Sequence, residues 1–438
     1  DEQVYFLSHH LTLVIAFLVS GALPVYAGNE APVTYYGDVV SIIQNNCQTC
    51  HRPAGHNISG LRAPMSFMTY EETRPWARAI ARKVESKEMP PWFASEPKGV
   101  FENERGLSSH EIDTIVNWVE AGAPAGDRTG APAPLVFPET LHDGWSHGTP
   151  DFVVKIPEPY VVGDDDYDTQ FSFDVPLTED VLPEDTWVRG WEIRTGAEGS
   201  GVHHMCAFMR PNDDRVLTGE GKSAVALGGL LSCVAEGGES GMLPEGYGVL
   251  VEKGSILNFN VHFNKEAGPG TSFTSQPEVG FFVEKRRVTH RVITDTLGNN
   301  GFEIPPNHPN YRVGMARTLT KDIRVINYWP HAHLRAKAAR YRAYYPDGTE
   351  ELLLDVPRYD QSWQVTYKYK EPKFLPKGTR IESEFWYDST AERGARRNFD
   401  SDRGVGFGAR TNDEMALGFI AYAEAVNSSQ TTNQQDQD

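Results

Sequence analysis

Ile256-Leu257-Asn258-Phe259-Asn260-Val261-His262-Phe263-Asn264 sets Leu257, Phe259, Val261 and Phe263 in strict alternation with Asn258, Asn260, His262 and Asn264. A period of two marks a β-strand with one face in an apolar core and one face wet. The stretch therefore predicts a strand of an all-β domain with His262 on its polar face. Taken alone, a histidine there is an ordinary surface or satisfied core residue. Other histidines change its weight. His331 and His333 stand two apart, so a strand would project both imidazoles to one side, where they can grip one ion. His203 and His204 are adjacent, which on a regular strand points them to opposite faces; a shared metal requires a bulge or turn at that place.

These five histidines and Met415 divide by chemistry into two candidate copper sites. Three imidazoles, from His203, His204 and His262, suit an ion that cycles electrons. Two imidazoles and a soft thioether, from His331, His333 and Met415, favour Cu(I), the state that binds dioxygen. Glu414 and Asp413 beside the methionine are expected to support the site rather than react.

The segments Val202-His203-His204-Met205, Asn260-Val261-His262-Phe263, Pro330-His331-Ala332-His333-Leu334-Arg335 and Asn412-Asp413-Glu414-Met415 occur in an order that resembles the type II copper, ascorbate-dependent monooxygenases. That family includes the peptidylglycine α-hydroxylating and dopamine β-monooxygenases, and the chain resembles its bacterial relatives more closely. Trp145-x-x-Gly148-x-Pro150-Asp151, Pro376-Lys377-Gly378-Thr379 and Tyr387-Asp388-Ser389 extend the likeness over roughly residues 145 to 425. The resemblance implies two jelly-roll-like β-sandwich lobes, residues 145–288 and 289–425, each holding one copper across a solvent-filled cleft. It further implies that His331, His333 and Met415 carry catalysis, dioxygen being activated there to hydroxylate a C–H bond of a small organic substrate.

A second motif lies upstream. Cys47-Gln48-Thr49-Cys50-His51 is a C-x-x-C-H run, in which two thioethers anchor a haem and the histidine becomes an axial ligand; a redox or zinc C-x-x-C is the competing reading. Asp38 to Asn46 has helical spacing. Thr73-Arg74-Pro75 is expected to cap a second helix, and Ser108-x-x-Glu111 forms a capping box for a third, stopped by Gly122 and Pro124. Three short helices with the motif after the first resemble a small class I cytochrome c over residues 28–125. Met89, in the stiff Met89-Pro90-Pro91-Trp92 run that bacterial fusions of this kind also carry, is the expected sixth ligand, ahead of Met65, Met68 and His56. The fold class that follows is multi-domain: a small all-α cytochrome c domain, a linker at 126–144, then two all-β sandwich copper lobes.

Composition agrees with a folded, exported chain. The 438 residues are 11% aromatic and 23% charged, enough for several ordinary domains. A net charge of −19 disfavours nucleic acid and favours a basic redox partner. Leu11 to Ala22 is apolar but too short to span a bilayer, and Val25-Tyr26-Ala27 offers a cleavage site, so residues 1–27 read as a signal peptide for a periplasmic or secreted protein. The preceding segment lacks Lys and Arg, and an uncleaved anchor is the alternative. Of four cysteines two belong to the haem motif; Cys206 and Cys233 then form an even pair, expected as a disulfide in an oxidising compartment, with two buried thiols as the alternative. Asp164-Asp165-Asp166 reads as a solvated turn, and residues 426–438 as a polar, disordered tail.

Where the peptide-hydroxylating members place an Arg, an Asn and a Tyr around the second site, this chain has Trp329, Leu417 and Phe419. A less polar substrate is expected, with Trp329 and Phe419 as pocket walls and electrons arriving from an external donor, an ascorbate-like reductant or a redox protein, through the haem. A non-catalytic electron-transfer protein and a copper-storage module are the rival functions.

Overall fold

The computed structural model describes residues 32–52, 63, 65–137, 145–196, 201–212, 219–220, 229–235 and 241–426. The expected leader at 1–27, His56 and the tail beyond 426 lie outside these. The described residues from Val33 onward belong to one compact unit. Among the described residues no helix is long and apolar enough to cross a membrane.

The molecule is mostly β. Ile256–Asn264 is a strand, as its alternation predicts, between the strands Asp168–Pro176 and Val202–Arg210. Its apolar residues Leu257, Phe259 and Val261 pack against Val188, Ile193 and Phe281 of a second sheet, closing a sandwich core. A similar core further along joins Val325, Tyr328 and Ile420 to Tyr341, Leu354 and Phe385. One nine-stranded sheet runs through both sandwiches, continuous at a short parallel pairing of Tyr247–Val251 with His290–Gly298. The second sandwich is completed by a four-stranded sheet, Tyr311–Thr318, Arg380–Tyr387, Ala336–Tyr344 and Glu350–Val356 in spatial order.

The polar face of Ile256–Asn264 is wet only at its last residue, Asn264, which corrects the reading of its alternation. Asn258, Asn260 and His262 are buried, and a matching polar row on the neighbouring strand satisfies them. Gln170 donates to Asn260 (3.1 Å), Asn258 donates to Ser172 (2.9 Å) and Asp174 (2.7 Å), and His262 donates to Asp168 (2.5 Å). Buried polar groups persist only when bonded in this way.

Helices occupy the stretch before residue 121. A five-residue π-turn, Tyr35–Val39, runs into Val40–Asn46. Thr69, not Thr73, caps the next helix: its hydroxyl accepts from Glu72 N–H while the Glu72 carboxylate takes Thr69 N–H. Pro75 instead sits in the 3-10 turn Arg74–Trp76 that leads into Ala77–Glu85. The Ser108–Glu111 box forms as expected and starts Ser109–Glu120. Gly122, at φ +87°, ends that helix by adopting the left-handed conformation a side chain resists. Tyr35, Val39, Ile43, Ile80, Val84, Ile115 and Trp118 form the apolar cluster of these helices.

Residues 92–103 cross from the helices into the second sandwich. Phe101 is fully buried there, its ring 5.8 Å from Tyr367 and 5.1 Å from Tyr369. Backbone bonds from Glu102 to Lys368 (2.7 Å), from Lys370 to Val100 (2.9 Å) and from Ser95 to Asp355 (2.8 Å) hold the segment down.

Candidate metal centre

His204 and His262 are direct cross-strand partners, and the register shifts one residue later, pairing Phe263 with Val202. His203 is the extra residue of that bulge, which turns its ring to the same side as its neighbour. One ligand atom from each of His203, His204 and His262 lies within 4.8 Å of the others. The Nδ1 atoms of His203 and His204 are 3.1 Å apart. The Nε2 atoms of His203 and His262 are occupied elsewhere: Gln361 donates to the first (3.3 Å) and the second donates to Asp168 (2.5 Å). Nδ1 of His262 remains for an ion bound at roughly 2 Å; Nδ1 of His203, which carries the ring proton while Nε2 accepts from Gln361, becomes available once that proton moves to Nε2 and the Gln361 amide turns its oxygen to it.

His331 and His333 use the opposite nitrogens. His331 Nδ1–H donates to Gln364 Oε1 (2.5 Å) and His333 Nδ1–H donates to the carbonyl of Asp413 (3.1 Å), so Nε2 is available on each. Their rings are 5.4 Å apart and nearly perpendicular. They do not share a strand: Ile323–His331 ends at the first histidine, and His333 follows in the turn beyond it. The Glu414 carboxylate ties that turn to the methionine segment by accepting N–H from His333 (3.0 Å) and Arg335 (2.6 Å). Met415 itself is buried with Trp329, Leu417, Phe419 and the Cys206–Cys233 disulfide, and Tyr387 Oη donates to its carbonyl (2.6 Å).

Burial drives the basicity of His203, His204, His331 and His333 down, and their crowding adds to it. His203 and His333 fall to about 4, His331 to about 3 and His204 well below its ordinary value. All four are neutral at physiological pH, the form that ligates metal without first losing a proton. Burial pushes the Glu414 carboxyl up to about 7 despite the backbone N–H groups that donate to it.

The two groups of histidines are in contact, which corrects the expected solvent-filled cleft. The His204 and His331 rings are 5.9 Å apart. Gln361 of the second sandwich reaches His203, and Thr411 donates to Asp168 (3.2 Å). Below them Cys206, Phe208, Leu230 and Cys233 pack against Trp329, Met415, Leu417 and Phe419. Asp168, Gln361, Gln364 and Thr411 were not foreseen. The row Asp168-x-Gln170-x-Ser172-x-Asp174, matching Asn258-x-Asn260-x-His262, is the signal that points to Asp168; the two glutamines and the threonine carry none.

The C-x-x-C-H run follows the helix Val40–Asn46 and lines a cavity of about 1090 Å³. This reaches the upper end of small-molecule and cofactor sites, roughly 1,000 Å³. Cys47, Cys50, His51, Met65 and Met89 all face it, and neither cysteine is in a disulfide. His51 Nδ1–H donates to the Met65 carbonyl (3.2 Å), leaving Nε2 available, and Phe67 stacks on the ring at 4.3 Å. These donors fit a covalently held haem. Trp329 and Phe419, expected as substrate walls, stack on each other at 4.8 Å and form part of the far wall of this same cavity.

No protein-family model matches the chain, and no curated protein matches it. Among solved structures it shows faint likeness to the major capsid protein P2 from bacteriophage PM2, at 12% identity over 63% of this chain and 98% of that one, with a TM-score of 0.25. The STIV MCP matches at 8% over 64% and 99%, with a TM-score of 0.27. The infectious bursal disease virus VP2 subviral particle matches at 13% over 63% and 73%, with a TM-score of 0.20. Likenesses at these scores carry no argument.

Proposed function

We propose that this chain is an exported copper-dependent monooxygenase that hydroxylates a C–H bond of a weakly polar organic molecule, with electrons supplied through a c-type haem at Cys47, Cys50 and His51. The single observation behind this reading is the pairing of nitrogens: His262, His331 and His333 each have one ring nitrogen donating to the protein and the other available, in two adjoining groups. Orienting partners of this kind are what metal-bound imidazoles need. Copper at these positions would supply one-electron redox and dioxygen chemistry, with the Met415 thioether favouring the reduced ion at the second group.

The residues do the rest. Asp168 and Gln361 aim His262 and His203, Gln364 and the Asp413 carbonyl aim His331 and His333, and Glu414 fixes the turn that carries His333. The apolar packing around Met415 keeps bulk water from the second group. Burial of the histidines also suits a second reading, a haem and copper protein that only relays electrons, because a closed centre has no room for substrate until the lobes part.

Chain matured with haem and loaded with copper decides between these. Two coppers by elemental analysis, one c-type haem by the pyridine haemochrome assay, and oxygen uptake with ascorbate and an apolar substrate are expected. One copper, or zinc in both sites after copper loading, would sink the two-site reading; full loading with no oxygen uptake across a substrate panel would favour the relay.

A further inference from the structure

We infer that Trp329 is the contact through which electrons leave the haem cavity, and that they enter the metal centre at His331 rather than at His203, His204 or His262. The inference rests on the proposed function and deepens it. Trp329 faces the cavity that also exposes Cys47, Cys50 and His51. The same indole lies against His331, the rings 5.0 Å apart and tilted by 35°. Gln364 fixes both rings at once: its carbonyl accepts the indole N–H (3.1 Å) and its side chain holds His331 Nδ1 (2.5 Å). Phe419, stacked at 4.8 Å, leaves the indole no freedom to swing away.

Electron tunnelling weakens steeply with gap width, so a rigid aromatic ring spanning the distance from cavity to ligand sets the preferred route. None of His203, His204 and His262 faces the cavity. The route towards them runs through Cys233, on the cavity wall, to Cys206, two residues from His204. That route crosses the disulfide and then two further residues of strand before it reaches His204, against a single ring contact between Trp329 and His331, which makes it the poorer one. Each transfer moves a single electron. An external one-electron reductant such as ascorbate leaves the haem iron ferrous; its return to ferric reduces one cupric ion to cuprous, with no bond made or broken and no proton required at Trp329.

The test follows haem re-oxidation by absorbance after rapid anaerobic mixing of reductant with haem- and copper-loaded chain, together with Cu(II) signals in samples frozen at partial reduction. Trp329→Leu is expected to slow the concentration-independent phase at least tenfold. Trp329→Phe, which keeps the stack but loses the bond to Gln364, is expected to slow it less. In the unmodified chain the Cu(II) signal that remains once one copper is reduced should match the narrow signal that loaded His331→Ala gives. An unchanged rate in Trp329→Leu, or a remaining signal that instead matches loaded His203→Ala, overturns the inference and leaves the functional reading standing. Failure of the unmodified chain to load haem and copper, or to re-oxidise its haem when loaded, overturns both.

Discussion

The imidazole of His204 meets that of His331 edge to face, 5.9 Å between ring centres. One ring belongs to a strand of the first sandwich and the other to the end of a strand in the second, so the two candidate copper sites adjoin within a single buried cluster. Two Cu(II) ions bound in this arrangement are close enough for their unpaired electrons to interact. The loaded protein is expected to give a broadened or diminished paramagnetic resonance signal, and His331→Ala to restore a narrow signal from the other ion. Two sharp, independent signals of full intensity would mean that the sandwiches separate when metal binds.

Asp168 holds His262 through its Nε2 and receives Thr411 from the opposite sandwich. Asp168→Asn removes the charge that fixes the ring, and losses of roughly 10- to 100-fold in metal affinity follow such changes. Chelator competition should register that loss at the His203, His204 and His262 site alone. Equal weakening of both sites, or of neither, would contradict this role.

Acid should destabilise the metal-free protein through its histidines. Their folded-state values lie below the ordinary one, at about 4 for His203 and His333 and about 3 for His331. A base whose folded value is depressed contributes stability that is present above its unfolded value, near 6.5, and is lost as pH falls. Melting temperature is expected to drop between pH 6.5 and 4. Replacing His331 and His333 together by Gln should flatten that slope, and a slope left unchanged would show that other groups dominate.

Glu414 works in the reverse direction. Its carboxyl is raised to about 7 by burial, so its contribution is complete below the unfolded value, near 4.5, and declines as pH rises through 7. The advantage of the natural protein over Glu414→Gln should therefore shrink between pH 4.5 and 7. Chemical denaturation of the two at several pH values reads this directly; an advantage that grew over that range would show the carboxylate to be the favoured form.

Phe101 anchors residues 92–103 in the second sandwich between Trp92, Tyr367 and Tyr369. Phe101→Ala should cost about 3–5 kcal/mol, as other fully buried phenylalanines do. Hydrogen exchange at the Glu102 and Lys370 amides should accelerate more than at Ser109–Glu120. Uniform acceleration would mean that the segment is not a separate anchor.

Sequence by itself determined the local elements and the chemistry they carry. Alternation fixed the strand Ile256–Asn264, the Ser108–Glu111 pair fixed the start of the last helix before the sandwiches, and two adjacent histidines required the bulge that His203 occupies. Subtracting the C-x-x-C-H cysteines left Cys206 and Cys233, which do pair. Each of these depends on neighbours a few residues apart or on simple counting. Tertiary structure alone decided which surfaces meet. A period of two says that one face of a strand is polar, and only the row Asp168, Gln170, Ser172 and Asp174, about 90 residues away in the chain, decides that this face is buried and bonded rather than wet. The contact of His204 with His331, the docking of Phe101 and the shared wall at Trp329 likewise join distant segments, because closing long loops onto complementary surfaces is settled by packing across the whole fold and leaves no periodic trace in the chain.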